Sequence, residues 1–159
     1  MTKSINLKTD TPVGSGHTTT MLSHDSFGNT AIMTQTLGGL YGSGIWVDDF
    51  GLPFNGLGSY CLDDLPEISR EEKNVSPQRA PSPMSLVQVF QKNELKYVFG
   101  TPGGFTIFHT ELQVLLNLLI FKMPLDEAIN SPRFFIDMKG GISSEDRVSP
   151  KVINELIEI

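Results

Sequence analysis

Two strand-like segments separated by a short turn constrain the fold of this 159-residue chain more than any other feature. Residues 18–24 and 30–37 are rich in Thr, Met and Ile, and the segment DSFGN between them contains the glycine and asparagine that tight turns favour. A turn centred on Phe27 places Thr18 opposite Thr36 across the strand pair. Residues that face each other in an antiparallel pair touch, so we predict a β-hairpin with these two threonines in contact.

The second half of the chain repeats the hairpin pattern and then becomes helical. Residues 85–91 and 95–100 predict a second hairpin around Lys92-Asn93-Glu94, and the apolar stretch 105–121 predicts a helix. The two hairpins followed by helices predict an α+β fold, with a mostly antiparallel sheet and helices packed on one face. Four strands leave an open edge and an open face, so we expect a further element from elsewhere.

Two more helices are predicted from their start signals. Proline suits the first position of a helix, so one short helix is expected from Pro124 and ends before Pro132. The last helix is expected to use Ser149 as N-cap and Pro150 as its first residue, and apolar residues recur at helical spacing after them.

Composition and charge exclude several classes of function. The chain is 39% hydrophobic, which is enough for a core, and its net charge of −6 without a Lys/Arg cluster argues against a nucleic-acid partner. The single cysteine, Cys61, allows no internal disulfide. Polar residues interrupt 105–121, so it predicts a buried helix rather than a membrane span. No secretory signal opens the chain, which favours the cytoplasm.

The segment GSGHTTTM raises three alternatives for Thr18. It is ordinary strand composition, a phosphate-binding loop, or a nucleophile that is freed by cleavage between His17 and Thr18. A threonine hydroxyl needs a base, and the residue's own α-amine, with a pKa of about 7.7–8.0, can serve if it is a free N-terminus. Threonine also favours strands, and on the triplet alone that explanation is the commoner one.

The segment Thr101-Pro102-Gly103-Gly104 lies between a predicted strand and a predicted helix. Two glycines permit close backbone approach, and free N–H groups at a helix start favour negative charge. The segment is therefore either an oxyanion hole for acyl transfer or a simple turn. A phosphate loop is not favoured, because no Lys-Ser/Thr follows the glycines. The three histidines have no metal-ligand spacing, and neither a metal nor a cofactor is predicted.

Taken in order, these motifs resemble a known family. The motifs TTT, GN, TQTL, YGSGI, FN, MS, TPGG and NSPRFF follow one another as in the small subunit of gamma-glutamyltranspeptidases, over residues 18 to about 148. Those enzymes are N-terminal-nucleophile hydrolases with an αββα sandwich, made as one precursor that cuts itself before a threonine. The resemblance implies that this chain is part of such a sandwich and is incomplete without a partner segment.

The resemblance implies roles for individual residues. Thr18 matches the nucleophile, and Thr36 matches the threonine that positions its amine. Gly103 and Gly104 match the oxyanion-hole glycines, while Thr19 and Ser82 match substrate-binding positions.

Several positions depart from the family pattern. Thr20 replaces a histidine, and Gly38 stands where an asparagine is expected. Leu57 and Tyr60 replace the Gln and Asp that hold the glutamyl α-amine, and Pro83 replaces the second of two serines. TQTLGG and FGTPGG are more similar to the outlying branch of the family, which includes oxamate-type amidohydrolases and acylases.

The resemblance also implies a domain organisation and a function. Residues 1–17 are expected to be a linker or propeptide-like extension, and residues 18–159 a small-subunit-like catalytic domain that lacks the family's last strand pair. The implied function is an amidohydrolase or acyltransferase that acts on a small amide or γ-glutamyl substrate. Its partner is a large subunit or the N-terminal part of the same precursor. The alternative is an uncleaved, catalytically silent binding domain of the same fold.

Overall fold

Antiparallel strand pairs and α-helices make up the described part of the chain, which in this computed structural model comprises residues 17–59, 82–136 and 141–157. The strands are β1 (Thr18–His24), β2 (Thr30–Thr36), β3 (Trp46–Val47), β4 (Leu52–Pro53), β5 (Val87–Gln91), β6 (Glu94–Phe99), β7 (Phe134–Ile136) and β8 (Ile142–Ser144). The helices are α1 (Ile107–Leu119), α2 (Leu125–Asn130) and α3 (Pro150–Ile157), with short 3₁₀ turns at Asp48–Phe50, Leu57–Ser59 and Gly104–Thr106. The predicted α+β fold is confirmed.

The first predicted hairpin has the expected register. β1 pairs antiparallel with β2, and Thr18 lies opposite Thr36. The turn is held by Asp25, whose carboxylate accepts the backbone N–H groups of Phe27 and Asn29, each at 2.9 Å. The side-chain amide of Asn29 also donates to this carboxylate and lowers its pKa. These local hydrogen bonds fix the turn and therefore the pairing of the strands.

The second predicted hairpin is confirmed with shorter strands. β5 and β6 pair antiparallel through a two-residue turn in which Lys92 has φ 51° and Asn93 has φ 65°. Positive φ at both central positions is typical of the hairpin turn that matches the strand twist. Ser85 and Gly100, which the sequence pattern included, lie outside the strands.

Helix α1 corrects the expectation of a buried helix. Only one face is buried, and it carries Ile107, Val114 and Leu118 together with one charged residue, Glu111. Val114 and Leu118 pack with Ala128 of α2. The other face is exposed at Phe108, Leu112 and Leu116. An apolar run is buried only where another element packs on it, and the described elements cover one side of α1.

The two shorter helices begin close to where the sequence predicts. Pro124 lies one residue before α2 as its N-cap rather than inside it, with ψ 152°. Ser149 caps α3 as expected, because its hydroxyl accepts the backbone N–H of Val152 at 3.4 Å. None of the described helices is long and apolar enough to cross a bilayer.

The sheet organisation differs from the expectation of one antiparallel sheet. Within the described residues the strands form four separate two-stranded pairs: β1–β2, β3–β4, β5–β6 and β7–β8. The β7–β8 pair has no counterpart among the predicted strands. Its strands have only three residues each, too few to show a clear alternation. The predicted extension at 1–17 and the acidic, proline-rich segment 62–83 lie mostly outside the described residues.

We expect truncation of α1 to cost stability only on its buried face. Leu118 is 4% exposed, so Leu118→Ala should lower the free energy of unfolding by about 2–5 kcal/mol, because a cavity is left in the core. Leu112 has the same chemistry but is 55% exposed, and Leu112→Ala should cost less than about 1 kcal/mol. Urea unfolding followed by circular dichroism measures both. Equal losses would show that Leu112 is covered in solution.

Candidate active site

Three hydrogen bonds meet at the hydroxyl of Thr36. The Thr18 hydroxyl donates to Thr36 Oγ1 at 3.1 Å, and the Gly38 backbone N–H donates to the same oxygen at 3.0 Å. Thr36 Oγ1 in turn donates to the carbonyl oxygen of His17 at 3.1 Å. A hydroxyl has one proton and two lone pairs, so all of its bonding capacity is used. The Thr36 hydroxyl therefore joins the Thr18 side chain to the carbonyl of the His17–Thr18 peptide bond.

Strand alternation decides which threonines join this cluster. Thr18 and Thr20 point to the half-buried face of β1, where Thr18 meets Thr36 and Thr20 Oγ1 lies 2.9 Å from Thr34 Oγ1. Thr19 lies between them on the exposed face. The structure therefore brings Thr18 and Thr36 together and leaves Thr19 on the other side of the hairpin.

The loop after β2 brings two further candidate residues to this cluster. Gly38 is buried, and a Cβ atom at that position would lie 3.5 Å from both the backbone nitrogen and Cδ2 of Leu57. The Gly56 N–H donates to the Leu37 carbonyl at 2.7 Å and closes the loop. Gly38 and Leu57 thus lie beside Thr36, whereas Tyr60 is outside the described residues.

The second candidate element is the turn that contains Gly103 and Gly104. Their φ angles are 143° and 60°, which L side chains rarely adopt. The hydroxyl and the backbone N–H of Thr106 both donate to the Gly103 carbonyl, at 3.0 and 3.2 Å. Within the described residues, no acceptor pairs with the N–H of Gly103 or Gly104. The turn holds the carbonyl in place and leaves two N–H donors available, as an oxyanion hole requires.

A close contact joins β1 to this turn. Gly100 directly precedes the turn segment, and a Cβ atom there would lie 2.7 Å from the Thr20 side chain. Real Cβ atoms do not approach so closely, so a side chain at position 100 would displace the Thr20 side chain, and the glycine lets β1 pass close beside the end of β6. The strand that begins with Thr18 and the Pro-Gly-Gly turn are therefore neighbours.

The sequence pattern failed to single out Glu111 as a candidate residue. It interrupts an apolar helix but lies on its buried face and is 3% exposed. Its Oε2 accepts the Ser85 hydroxyl at 2.5 Å, and burial raises the pKa of its carboxyl group. Positions 107, 111, 114 and 118 are three or four residues apart and therefore share one face of a helix. This spacing is the sequence feature from which the burial of Glu111 could have been predicted.

The remaining polar candidates have local roles. Ser82 is exposed, and its hydroxyl accepts the backbone N–H of Met84 at 3.3 Å. His109 is hydrogen-bonded: its Nδ1 lies 3.3 Å from the Phe105 carbonyl oxygen, and its Nε2 accepts the N–H of Ile136 at 3.5 Å. Among the described residues no group of three His, Cys, Asp or Glu side chains could hold a metal ion.

Comparison with known proteins assigns the family. The family model for gamma-glutamyltranspeptidase matches residues 2–159. The chain therefore belongs to the gamma-glutamyltranspeptidase family, a family of hydrolases and acyltransferases. The resemblance inferred from the sequence motifs is confirmed.

Individual relatives agree with this assignment. The chain is 31% identical over 142 residues to the glutathione hydrolase proenzyme of Bacillus subtilis strain 168, covering 89% of this chain and 24% of the relative. It is 26% identical over 143 residues to the acylase ACY 1 proenzyme of Pseudomonas sp. strain SE83, and the match covers 90% of this chain and 25% of the relative. A mutant of the gamma-glutamyltranspeptidase of Helicobacter pylori superposes with a TM-score of 0.72 at 25% identity, covering 88% of this chain and 80% of that one.

Two conclusions follow from these matches. The fold of the chain is that of the solved gamma-glutamyltranspeptidases, so the expected membership in the N-terminal-nucleophile hydrolase fold is confirmed. The chain spans about a quarter of the length of these curated relatives, the glutathione hydrolase proenzyme and the acylase proenzyme.

The two glycines of the turn should differ in their tolerance of a side chain. A Cβ atom at Gly103 would lie 2.5 Å from Thr106 Oγ1, whereas a Cβ atom at Gly104 would meet nothing within 4 Å. Gly104→Ala should therefore lower the free energy of unfolding by about 1–2 kcal/mol, because an L residue must adopt a left-handed backbone conformation there. Gly103→Ala should cost more, because the Thr106 hydroxyl must also move. Thermal unfolding of the two variants measures the difference, and the reverse order would contradict this geometry.

Proposed function

We propose that this chain is the small-subunit part of an N-terminal-nucleophile amidohydrolase or acyltransferase, with Thr18 as nucleophile after cleavage of the His17–Thr18 bond. In this proposal residues 1–17 form a propeptide-like extension and residues 18–159 the small-subunit-like domain. The hydrogen bond from the Thr36 hydroxyl to the His17 carbonyl oxygen, at 3.1 Å, is the observation that carries the proposal.

The same cluster supports self-cleavage. Thr36 donates to the carbonyl that would be attacked and accepts from the Thr18 hydroxyl that would attack it. A donated hydrogen bond polarises the carbonyl and stabilises charge on its oxygen. The bond from Thr18 Oγ1 to the His17 carbonyl carbon forms, the C–N bond to Thr18 breaks, and the hydroxyl proton passes to the departing nitrogen. Water then hydrolyses the ester and leaves a His17 carboxyl group and a free Thr18 amine.

The freed Thr18 would carry out turnover with its own amine as base. The amine takes the hydroxyl proton while Oγ1 attacks the substrate carbonyl. An α-amine, with a pKa of about 7.7–8.0, is far more often in its neutral, basic form near pH 7 than a lysine side chain is. The N–H groups of Gly103 and Gly104 are proposed to bind the oxyanion. The proton is then given to the leaving amine, and the acyl-enzyme transfers its acyl group to water or to an amine acceptor.

The proposal includes a partner segment from the same precursor. The chain spans about a quarter of its proenzyme relatives. Large apolar side chains are exposed at Met21 and Met33, which are cross-strand partners on one face of the first hairpin, and at Phe108, Leu112 and Leu116 of α1. Exposed apolar surface of this extent marks interaction sites. We therefore place the remainder of a longer precursor, or a separate large subunit, against these faces.

The residues around Thr36 favour a substrate without a free α-amine. A charged ammonium group needs acceptors when it is desolvated. Leu57 offers no side-chain acceptor, Gly38 has no side chain, and its N–H already donates to Thr36. Ser82 remains available for a substrate carboxylate, and Thr19 and Tyr60 stay predictions from the family resemblance. One relative is an acylase, which agrees with an acyl group other than γ-glutamyl.

Removal of the Thr18 hydroxyl should stop both cleavage and turnover. Thr18→Ala should leave a chain with an intact His17–Thr18 bond and background amide hydrolysis, while Thr18→Ser should retain part of both activities because it keeps a hydroxyl. N-terminal mass spectrometry and hydrolysis of an anilide substrate are the measurements. Thr30→Val is the matched control, since it removes a hydroxyl at the far end of β2.

These outcomes also separate the proposal from its alternative. Cleavage before Thr18 in the wild type that is lost in Thr18→Ala supports the enzyme. An intact wild-type chain without turnover, in the presence of its partner segment, supports the catalytically silent binding domain. Equal turnover by wild type and Thr18→Ala would exclude Thr18 as nucleophile.

The substrate preference can be tested with two matched anilides. We expect kcat/KM on a glutaryl anilide to be at least equal to that on the γ-glutamyl anilide, which differs only by the α-ammonium group. The reason is that a site discriminates by about 10⁴–10⁵-fold only when it supplies partners for a polar group, and Leu57 and Gly38 supply none. A strong preference for the γ-glutamyl compound would show that other residues bind the amine.

A further inference from the structure

One buried carboxylate connects α1 to the segment before β5, beside the proposed acyl site. Glu111 lies on the buried face of α1 and is 3% exposed. The Ser85 hydroxyl donates to its Oε2 at 2.5 Å, and Glu111 and Thr101 line the same cavity. The side chain therefore ties the segment before β5 to α1, the helix that follows the Gly103-Gly104 turn.

The segment before β5 and the turn before α1 both carry residues of the proposed site. Ser85 is three residues after Ser82, and the turn with Gly103 and Gly104 leads directly into α1. We infer that Glu111 is a positioning residue, which ties α1, and with it the Pro-Gly-Gly turn, to the Ser82 segment so that both meet the same substrate. This inference rests on the proposed function, but the Ser85–Glu111 hydrogen bond on which it stands does not.

A purely structural position would not favour a carboxyl group here. The neighbours of Glu111 on this face of α1 are Ile107 and Val114, and an apolar residue would bury there without penalty. Burying a carboxyl group costs free energy unless its oxygens are paired. Oε1 has no hydrogen-bond partner among the described residues. We attribute the presence of a carboxyl group here, despite the free-energy cost of burying it, to the hydrogen bond that it makes with Ser85.

No cation in the described residues neutralises this carboxyl group. Glu111 lines a cavity of about 450 Å³ together with Lys96 and Arg133. Lys96 pairs with Glu94 at 2.7 Å, and Arg133 pairs with Glu145 at 3.2 Å. The group that hydrogen-bonds directly to the carboxyl group is the Ser85 hydroxyl, which is neutral. Desolvation therefore dominates and raises the pKa of Glu111, against the lowering effect of the hydrogen bond from Ser85.

The positioning role can be tested by separating backbone order from catalysis. Glu111→Leu should speed amide hydrogen exchange at Thr101, Gly103 and Gly104, and should lower kcat by about 10–100-fold, since a displacement of about 1 Å at a reacting centre has an effect of that size. KM should change less than kcat. Glu111→Gln should fall between Glu111→Leu and the wild type, because its amide oxygen can still accept from Ser85.

Ser85 provides a second test that leaves the core apolar packing intact. Ser85→Ala should reproduce the faster exchange and the lower kcat, and Ser85→Thr should restore both because it keeps the hydroxyl. Glu127→Gln on the exposed side of α2 is the matched control and should change neither measurement. If Glu111→Leu does not fold, the Ser85 pair and Glu111→Gln decide the question.

The pH dependence of stability gives an independent signature of the buried carboxyl group. Its folded-state pKa is raised, so its contribution to stability is fully present at low pH and is lost as pH rises through that pKa. The melting temperature of the wild type relative to Glu111→Gln should therefore fall with increasing pH. A difference that is constant with pH would show that the group is not buried in solution.

The outcomes distinguish this inference from the proposed function. Unchanged exchange and unchanged kcat in folded Glu111→Leu or Ser85→Ala overturn it. Faster exchange with unchanged kcat also overturns it, because Glu111 would then be structural only. If the wild type has no amide turnover, the proposed function fails. The positioning role fails separately if the Thr101 amide of Glu111→Leu exchanges its hydrogen at the same rate as in the wild type.

Discussion

The register of the first hairpin is the constraint on which the candidate site depends. Because side chains alternate along a strand, a shift of one residue would turn Thr18 away from Thr36 and onto the exposed face that Thr19 now occupies. The Asp25 turn, with three hydrogen bonds to its carboxylate, sets this register locally. The catalytic proposal thus depends on a turn at the far end of β1, which takes no part in the chemistry.

The structural features that could be predicted from the sequence are those formed by residues close together along the chain. Both long hairpins were predictable, since turn residues and strand alternation lie within about twenty residues of each other. The meeting of Thr18 and Thr36 followed from the same local geometry. The contact between Ser85 and Glu111 spans 26 residues and depends on how α1 packs, which no local pattern determines. The β7–β8 pair was missed because its three-residue strands lack periodicity.

The extent of burial is the second property that the sequence did not determine. Apolar composition of 105–121 is compatible with complete or one-sided burial, and the structure shows the second, with Phe108 and Leu112 exposed. Which side is covered depends on neighbouring elements, so composition alone predicts only that some partner is needed. The proenzyme relatives are about four times longer than the matched region. Under the proposed function, the remainder of such a precursor is the partner that covers the exposed face of α1.

The single hydroxyl proton of Thr36 can be donated to only one acceptor at a time, so its acceptor before cleavage differs from its acceptor after cleavage. In the intact chain that proton is donated to the His17 carbonyl, and the oxygen accepts from Thr18 and Gly38. Under the proposed function the His17 carbonyl departs with the extension, and the new Thr18 amine becomes available as an acceptor for the same proton. A hydrogen bond from Thr36 would then lower the basicity of that amine while fixing its orientation. The amide of Gly38 becomes important at this stage, because it holds Thr36 Oγ1 in place after its first acceptor is gone.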